Sequence, residues 1–208
     1  KNTEDFIASD AKLFTRKKNL LLSLIIICTN LMQAQNLVPN PSFENMSAGC
    51  SAGNGQINFA PPWGIPPGSG TSPDLYNSCS TGACSFDVPN NWMGVAPAFS
   101  GNGYSGILIG NYGACPNCRE YIRVQLTSPL TTGTQYCVSF RVLKPTYMNA
   151  ASNNVGAYIS NGPVSQPGNQ PINTVTPQIN YTSIIRDSVN WTLISGVYTA
   201  AGGENYIT

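Results

Sequence analysis

The chain has 208 residues, ten Lys and Arg against nine Asp and Glu, no histidine, and only 9% charged residues. The missing histidine excludes a Ser-His-Asp triad, a Cys-His nucleophile pair and every histidine-bearing metal site. The cations are too few and too scattered to neutralise a run of phosphates, which argues against nucleic acid and anionic membrane surfaces as partners.

In chain order, Lys1–Thr15 contains no Met and precedes a basic cluster, so it is read as an upstream extension outside the fold. Arg16-Lys17-Lys18, the apolar run from Leu20 to Cys28 and the small residue in Met32-Gln-Ala34 together have the layout of a secretory signal peptide over residues 16–34. The apolar run is shorter than the roughly 20 residues a membrane-spanning helix needs, and no second one follows. Lipidation at Cys28 is disfavoured because Ile27 stands where a small residue is required. Without this leader only Arg119, Arg123, Arg141, Lys144 and Arg186 remain, against Glu44, Asp74, Asp87, Glu120, Asp187 and Glu204, for a net charge of −1.

Residues 35–208 have the length of one domain. Asn36–Glu44 is predicted as the first strand, and Cys50–Asn91 as a long irregular loop rich in Pro and Gly. Ile122, Val124 and Leu126 alternate with polar neighbours over Glu120–Leu126. Tyr136, Val138, Phe140 and Val142 alternate likewise over Gln135–Leu143. These two segments are expected to pair as antiparallel neighbours across a turn at Pro129–Gly133. Further strands are predicted at Ser105–Ile109, Val155–Ser160, Trp191–Tyr198 and Asn205–Thr208, while Gly103–Gly106 is read as a turn. No helical period appears after the leader. Short strands without crossover helices predict an all-β, two-sheet antiparallel β-sandwich of jelly-roll type. The chain stops inside an apparent strand, so the domain is expected to continue past Thr208.

Six cysteines lie outside the leader: Cys50, Cys79, Cys84, Cys115, Cys118 and Cys137. In an exported protein an even number predicts three disulfides, and the spacing leaves fifteen pairings open. Cys50 with Cys79, Cys115 with Cys118, and Cys84 with Cys137 is the set carried forward. A zinc site from Cys79-x4-Cys84 and Cys115-x2-Cys118 has workable spacing but is disfavoured in an oxidising compartment.

The acids do not form an evident catalytic pair. Asp74 is placed in a Ser-Pro-Asp turn, Glu120 is expected to point outward beside Arg119, and Asp187 is placed in a polar turn, so a carboxylate-dependent glycosidase is the weakest reading. Trp63, Tyr76, Trp92 and Tyr112 lie in or beside Gly- and Asn-rich segments. Their flat apolar rings suit the C–H face of a sugar, with Asn and Asp nearby for hydroxyls; the competing reading is that they pack the loops. Trp191 is assigned to the core. Glu44, with Ser42 and backbone carbonyls close in sequence, is a candidate first ligand of a structural calcium, and a solvated strand end is the plainer alternative.

Asn36-Leu-Val-Pro-Asn-Pro-Ser-Phe-Glu44 resembles the opening of galactose-binding-like jelly rolls, a group that includes many carbohydrate-binding modules. The ordered series Trp63, Ser72-Pro-Asp-Leu-Tyr-Asn77, Val88-Pro-Asn-Asn91, Gly103-Tyr-Ser-Gly106, Arg119-Glu-Tyr-Ile122, Trp191 and Gly202-Gly-Glu204 is similar to exported modules of gliding-type Gram-negative bacteria. Such modules precede an OmpA-like peptidoglycan-binding domain or a secretion-sorting signal. The resemblance implies a noncatalytic module at the outer membrane facing the periplasm, on the cell surface or secreted. Its partner would be a glycan or cell-surface polymer, with further carboxy-terminal domains in the same protein. It also implies a structural calcium at the position of Glu44, completed by an acid beyond Thr208. A structural or adhesive domain with no small ligand is the alternative.

Overall fold

Antiparallel strand pairs account for the regular structure of a computed structural model that describes residues 35–47, 49–50, 54–80, 85–112 and 115–208, with the backbone alone at 111 and 112. The expectations for residues 1–34, and the cysteine at 84, lie outside the described residues. Leu37–Thr208 forms one compact unit. Among the described residues the fold is all-β, with one short 3-10 turn at Ile57–Phe59 and no α-helix. None of them forms a helix long and apolar enough to cross a membrane.

Among the described residues thirteen strands run in this order. They are β1 (Asp74–Asn77), β2 (Asn90–Asn91), β3 (Gly94–Val95), β4 (Gly103–Gly106), β5 (Ile109–Tyr112), β6 (Cys115–Arg119), β7 (Val124–Gln125), β8 (Gln135–Val142), β9 (Val155–Ala157), β10 (Ile159–Ser160), β11 (Ile179–Tyr181), β12 (Thr192–Thr199) and β13 (Tyr206–Ile207). The pairs are β1 with β4, β2 with β3, β5 with β6, β8 with β12 and β9 with β11; β13 lies between β7 and β10.

The longest ladder, β8 with β12, runs from Thr192 opposite Val142 to Thr199 opposite Gln135. Alternation along β8 works as its sequence predicts: Tyr136, Val138, Phe140 and Val142 are half-buried while Gln135, Cys137, Ser139 and Arg141 are exposed. Val138, Phe140 and Val142 pack on a core of Ala157, Ile179, Ile185 and Ile194. Tyr136, Tyr198, Leu37 and Leu126 pack on a second core of Leu130, Ile159 and Ala200, and Val138 and Ile207 touch both. Each fully buried Ile contributes about 2–3 kcal/mol through lost apolar exposure. Gly196 makes one such contact possible, since a Cβ there would stand 2.7 Å from Ile179 Cδ1.

Three local expectations are corrected. The Glu120–Leu126 segment does not pair with β8; only Val124–Gln125 is strand, and its partner is β13. The carboxy-terminal segment occupies its edge: the Leu126 amide donates to Asn205 O at 2.8 Å and the Leu130 amide to Glu204 O at 2.8 Å. Asn36–Glu44 is not a strand. Pro39 and Pro41 lack the N–H a ladder needs, Asn40 and Phe43 adopt positive φ, and the Asn40 side chain ties the turn by accepting from the Asn45 amide and donating to Asn45 O and Pro61 O. Gly103–Gly106 is strand rather than turn, and the loop expected over Cys50–Asn91 contains its fully buried partner β1.

Two predicted disulfides are present, Cys50–Cys79 and Cys115–Cys118. The third is not made as expected: Cys137 is a free, exposed thiol. It sits on the outward face of β8 opposite Val197, where the alternation of the strand turns it to solvent.

Candidate binding site

The β1–β4 register places Tyr76 directly opposite Tyr104. Their rings stack with centroids 5.1 Å apart and planes at 22°; Phe86 lies 5.5 Å from Tyr76, and Trp191 meets Tyr104 edge-on at 5.5 Å. Such offset and edge geometries suit the ring quadrupoles. The glycine ending β4 is required by this stack, because a Cβ at Gly106 would stand 2.6 Å from Tyr76 Cε2.

Polar partners hold the stack from below. The Tyr76 hydroxyl donates to Asp74 Oδ2 at 3.1 Å, and Asp74 Oδ1 accepts from the Gly55 amide at 2.9 Å. Asn91 Nδ2 donates to the Tyr104 hydroxyl at 2.7 Å. Burial raises the Tyr76 pKa well above its ordinary value, helped by the Asp74 charge and hydrogen bond, while the Trp92 indole beside the phenol works against the rise. Tyr104 is pushed up to about 12, also by burial, with the Asn91 bond opposing. Both phenols stay protonated near neutral pH and act as hydrogen-bonding struts.

Asp74 and Glu120 are closer companions than the sequence indicates. Burial raises the pKa of each, and the Asp74 charge adds to the rise at Glu120. Glu120 does not point outward: its Oε1 accepts from the Ser72 amide at 3.0 Å and its Oε2 from the Leu108 amide at 2.8 Å. Asp74, far from sitting in a turn, opens β1 and is 8% exposed. The two acids pin the 55, 72 and 108 segments around the stack.

An exposed rim is tied to the stack through Trp92, beside the Tyr76 hydroxyl, and through Trp191. Trp92 is 42% exposed, Val95 48% and Phe99 56%, all on one stretch of chain. That stretch is fastened to the Lys144–Tyr147 turn, with the Val95 amide donating to Thr146 Oγ1 at 3.0 Å and the Tyr147 amide to Met93 O at 3.1 Å. The Arg141 guanidinium lies 3.9 Å over the Phe99 ring, and Trp191 Nε1 donates to Pro97 O at 3.0 Å. Trp191 is therefore not a sheet-core residue: it precedes β12, is half-buried, and braces the rim.

The sequence-predicted residues separate into three places. Tyr76 and Trp92 come together, the indole of the half-exposed Trp92 beside the hydroxyl of the buried Tyr76. Trp63 is elsewhere, its ring tilted against Phe43 with centroids 4.9 Å apart and Nε1 donating to Asn40 O at 2.7 Å, so it secures the 40–45 turn. Tyr112 closes β5 opposite Cys115 and contributes a backbone position. Phe99 and Arg141, which pattern reasoning passed over, complete the rim; the Pro97-Ala-Phe-Ser100 loop was the available signal.

Glu44 lies apart from the stack. Its Oε1 accepts from the Asn102 amide at 2.7 Å and the Gly103 amide at 3.1 Å, and Oε2 accepts from Asn102 Nδ2 at 2.9 Å. Three N–H donors suit an anion, so this carboxylate fastens the turn entering β4. Among the described residues no group of three or more His, Cys, Asp or Glu side chains could hold a metal ion.

Comparison with known proteins finds no similar family model, curated protein or solved structure.

Proposed function

We propose that this chain is a noncatalytic binding module of an exported protein, a galactose-binding-like β-sandwich that recognises glycans through the rim formed by Trp92, Phe99 and Arg141. The observation that carries the reading is a half-exposed Trp92 whose indole lies beside the hydroxyl of the buried, stacked Tyr76. A ring tied to a buried group loses little conformational freedom on binding, which suits a sugar face that offers only dispersion and C–H contacts. Arg141, stacked on Phe99 and exposed, supplies N–H donors for hydroxyl or carboxylate groups of the glycan.

Asp74 and Glu120 are the acids nearest to a catalytic pair, and their use as amide acceptors supports binding over hydrolysis. A structural or adhesive module without a small ligand is the second reading, favoured by the packing roles of Trp63 and Tyr76. A glycan array followed by titration calorimetry separates the two. Binding that is lost in Trp92→Ala and Phe99→Ala, with thermal stability retained, supports the glycan module; no glycan bound above background by the intact chain overturns it.

A further inference from the structure

The two disulfides differ in what they enclose. Cys50–Cys79 spans a sequence separation of 29, whereas Cys115-Pro-Asn-Cys118 closes over a separation of 3. A cross-link stabilises a fold by restricting the unfolded chain, and that gain grows with loop length. Opening the short bridge therefore costs the fold less stability than opening the long one.

Its surroundings favour the open form. Cys115 is half-exposed and Cys118 is buried, so one sulfur can be reached and the other is shielded. The Asn169 side-chain amide donates to Cys115 Sγ at 3.2 Å and to Cys118 Sγ at 3.3 Å. Gln170 Nε2 donates to Asn169 Oδ1 at 3.0 Å, which turns the nitrogen of that amide toward the sulfurs. Arg119 Nη1 donates to Cys118 O at 2.8 Å and keeps a permanent cation beside the pair, while the carboxylate of Glu120 is turned to the Ser72 and Leu108 amides. Gln166, 1% exposed, fixes the enclosure by donating to Arg119 O and Gln170 O and accepting from Ser69 Oγ. A neutral disulfide gains little from N–H donors; a thiolate gains charge-assisted bonds about twice as strong as neutral ones.

We propose that Cys115–Cys118 is a reversible thiol–disulfide exchange site that reacts with small thiols. The thiolate of an incoming thiol attacks Cys115 Sγ and forms a mixed disulfide. The Cys115–Cys118 bond breaks, and its electron pair leaves on Cys118 Sγ as a thiolate held by Asn169. A second thiolate attacks the incoming sulfur of the mixed disulfide and releases Cys115 as a thiolate. Two thiols are oxidised to one disulfide while the protein disulfide is reduced by two electrons; Cys115 takes up one of the two protons the thiols gave, and the other passes to solvent while Cys118 stays a thiolate held by Asn169. The reverse sequence recloses the bridge.

The test uses the whole chain carrying Cys28→Ser, Cys84→Ser and Cys137→Ser, equilibrated in mixtures of reduced and oxidised glutathione, quenched, alkylated and mapped by peptide mass spectrometry. Because the Asn169 bonds favour the open thiolate, Cys115–Cys118 is expected to be half reduced at a ratio of squared reduced to oxidised glutathione at least about tenfold below that needed for Cys50–Cys79. Asn169→Ala should raise its midpoint about tenfold, as loss of hydrogen bonds to a charged group predicts, and leave Cys50–Cys79 unmoved. The proposal is overturned if both bridges open together, if Cys50–Cys79 opens first, or if Asn169→Ala leaves the midpoint unchanged or shifts both bridges equally.

Discussion

The β8–β12 end of the molecule and the β1–β4 end are held by different physics. Around β8 and β12 an eight-residue ladder turns one face, Ile194 included, to Ala157, Ile179 and Ile185, and the stabilisation is aliphatic area removed from water. Around β1 and β4 the ladder is four residues long, and stability depends on Tyr76, Tyr104, Asp74, Asn91 and Glu120 each meeting a particular donor or acceptor. Aliphatic packing tolerates approximate partners, whereas a buried hydroxyl or carboxylate costs free energy unless its partner is in place. The first end supplies a scaffold, and the second supplies a fixed surface from which a ring can project.

That contrast is broken or sharpened by three measurements. The largest effect belongs to Ile194→Ala, which removes methylenes from a 2% exposed site in the aliphatic core and should cost about 3–4 kcal/mol in urea unfolding. A loss below about 1 kcal/mol would mean that this end is not the scaffold.

A smaller loss is expected for Tyr104→Phe, which keeps the stack with Tyr76 and Trp191 and deletes the acceptor of Asn91 Nδ2. Unfolding should show about 1 kcal/mol, with Asn91 retaining its bond to Asp87 O. No measurable change would show that ring packing alone organises the aromatic end.

The smallest effects are opposite slopes of stability with pH. Burial raises Asp74 above 3.8 and Glu120 above 4.5. Their contribution is therefore complete below these values and is lost as pH climbs through the raised folded ones. At Glu204 burial acts to raise the pKa, but the bonds from Tyr198, its own amide, Ala201 and Gly202 together outweigh it and leave it below 4.5. Its contribution is present above 4.5 and disappears as pH falls through the lowered folded value. Denaturation between about pH 3 and 7 should show Asp74→Asn flattening the decline on the rising side and Glu204→Gln the decline on the falling side. Both variants altering the same limb would dissolve the distinction.

Legibility in the sequence follows the same division. The alternation of Tyr136, Val138, Phe140 and Val142 announced a strand and its buried face, because a period of two needs no partner to be visible. Its partner was not legible: adjacency pointed to Glu120–Leu126, and the fold selected β12, fifty residues farther along, because Thr192–Thr199 offers eight matched positions. At the candidate site Tyr76 and Trp92 were visible as ring-bearing residues of one loop region. Phe99 and Arg141 were not, since a cation stacked on a ring leaves no periodic trace.

The sequence by itself determined the all-β class and the absence of histidine chemistry, both of which depend on composition and short-range pattern; it left fifteen cysteine pairings open, and the fold made Cys50–Cys79 and Cys115–Cys118. Tertiary structure alone decided that Asp74 and Glu120 accept from loop amides, that Asn169 reaches two sulfurs from more than fifty residues away, and that a half-exposed Trp92 meets the hydroxyl of a buried Tyr76. Burial and hydrogen-bond partnership are properties of the closed chain. They arise when residues distant in sequence exclude water from one another, and a linear pattern carries no record of which will meet.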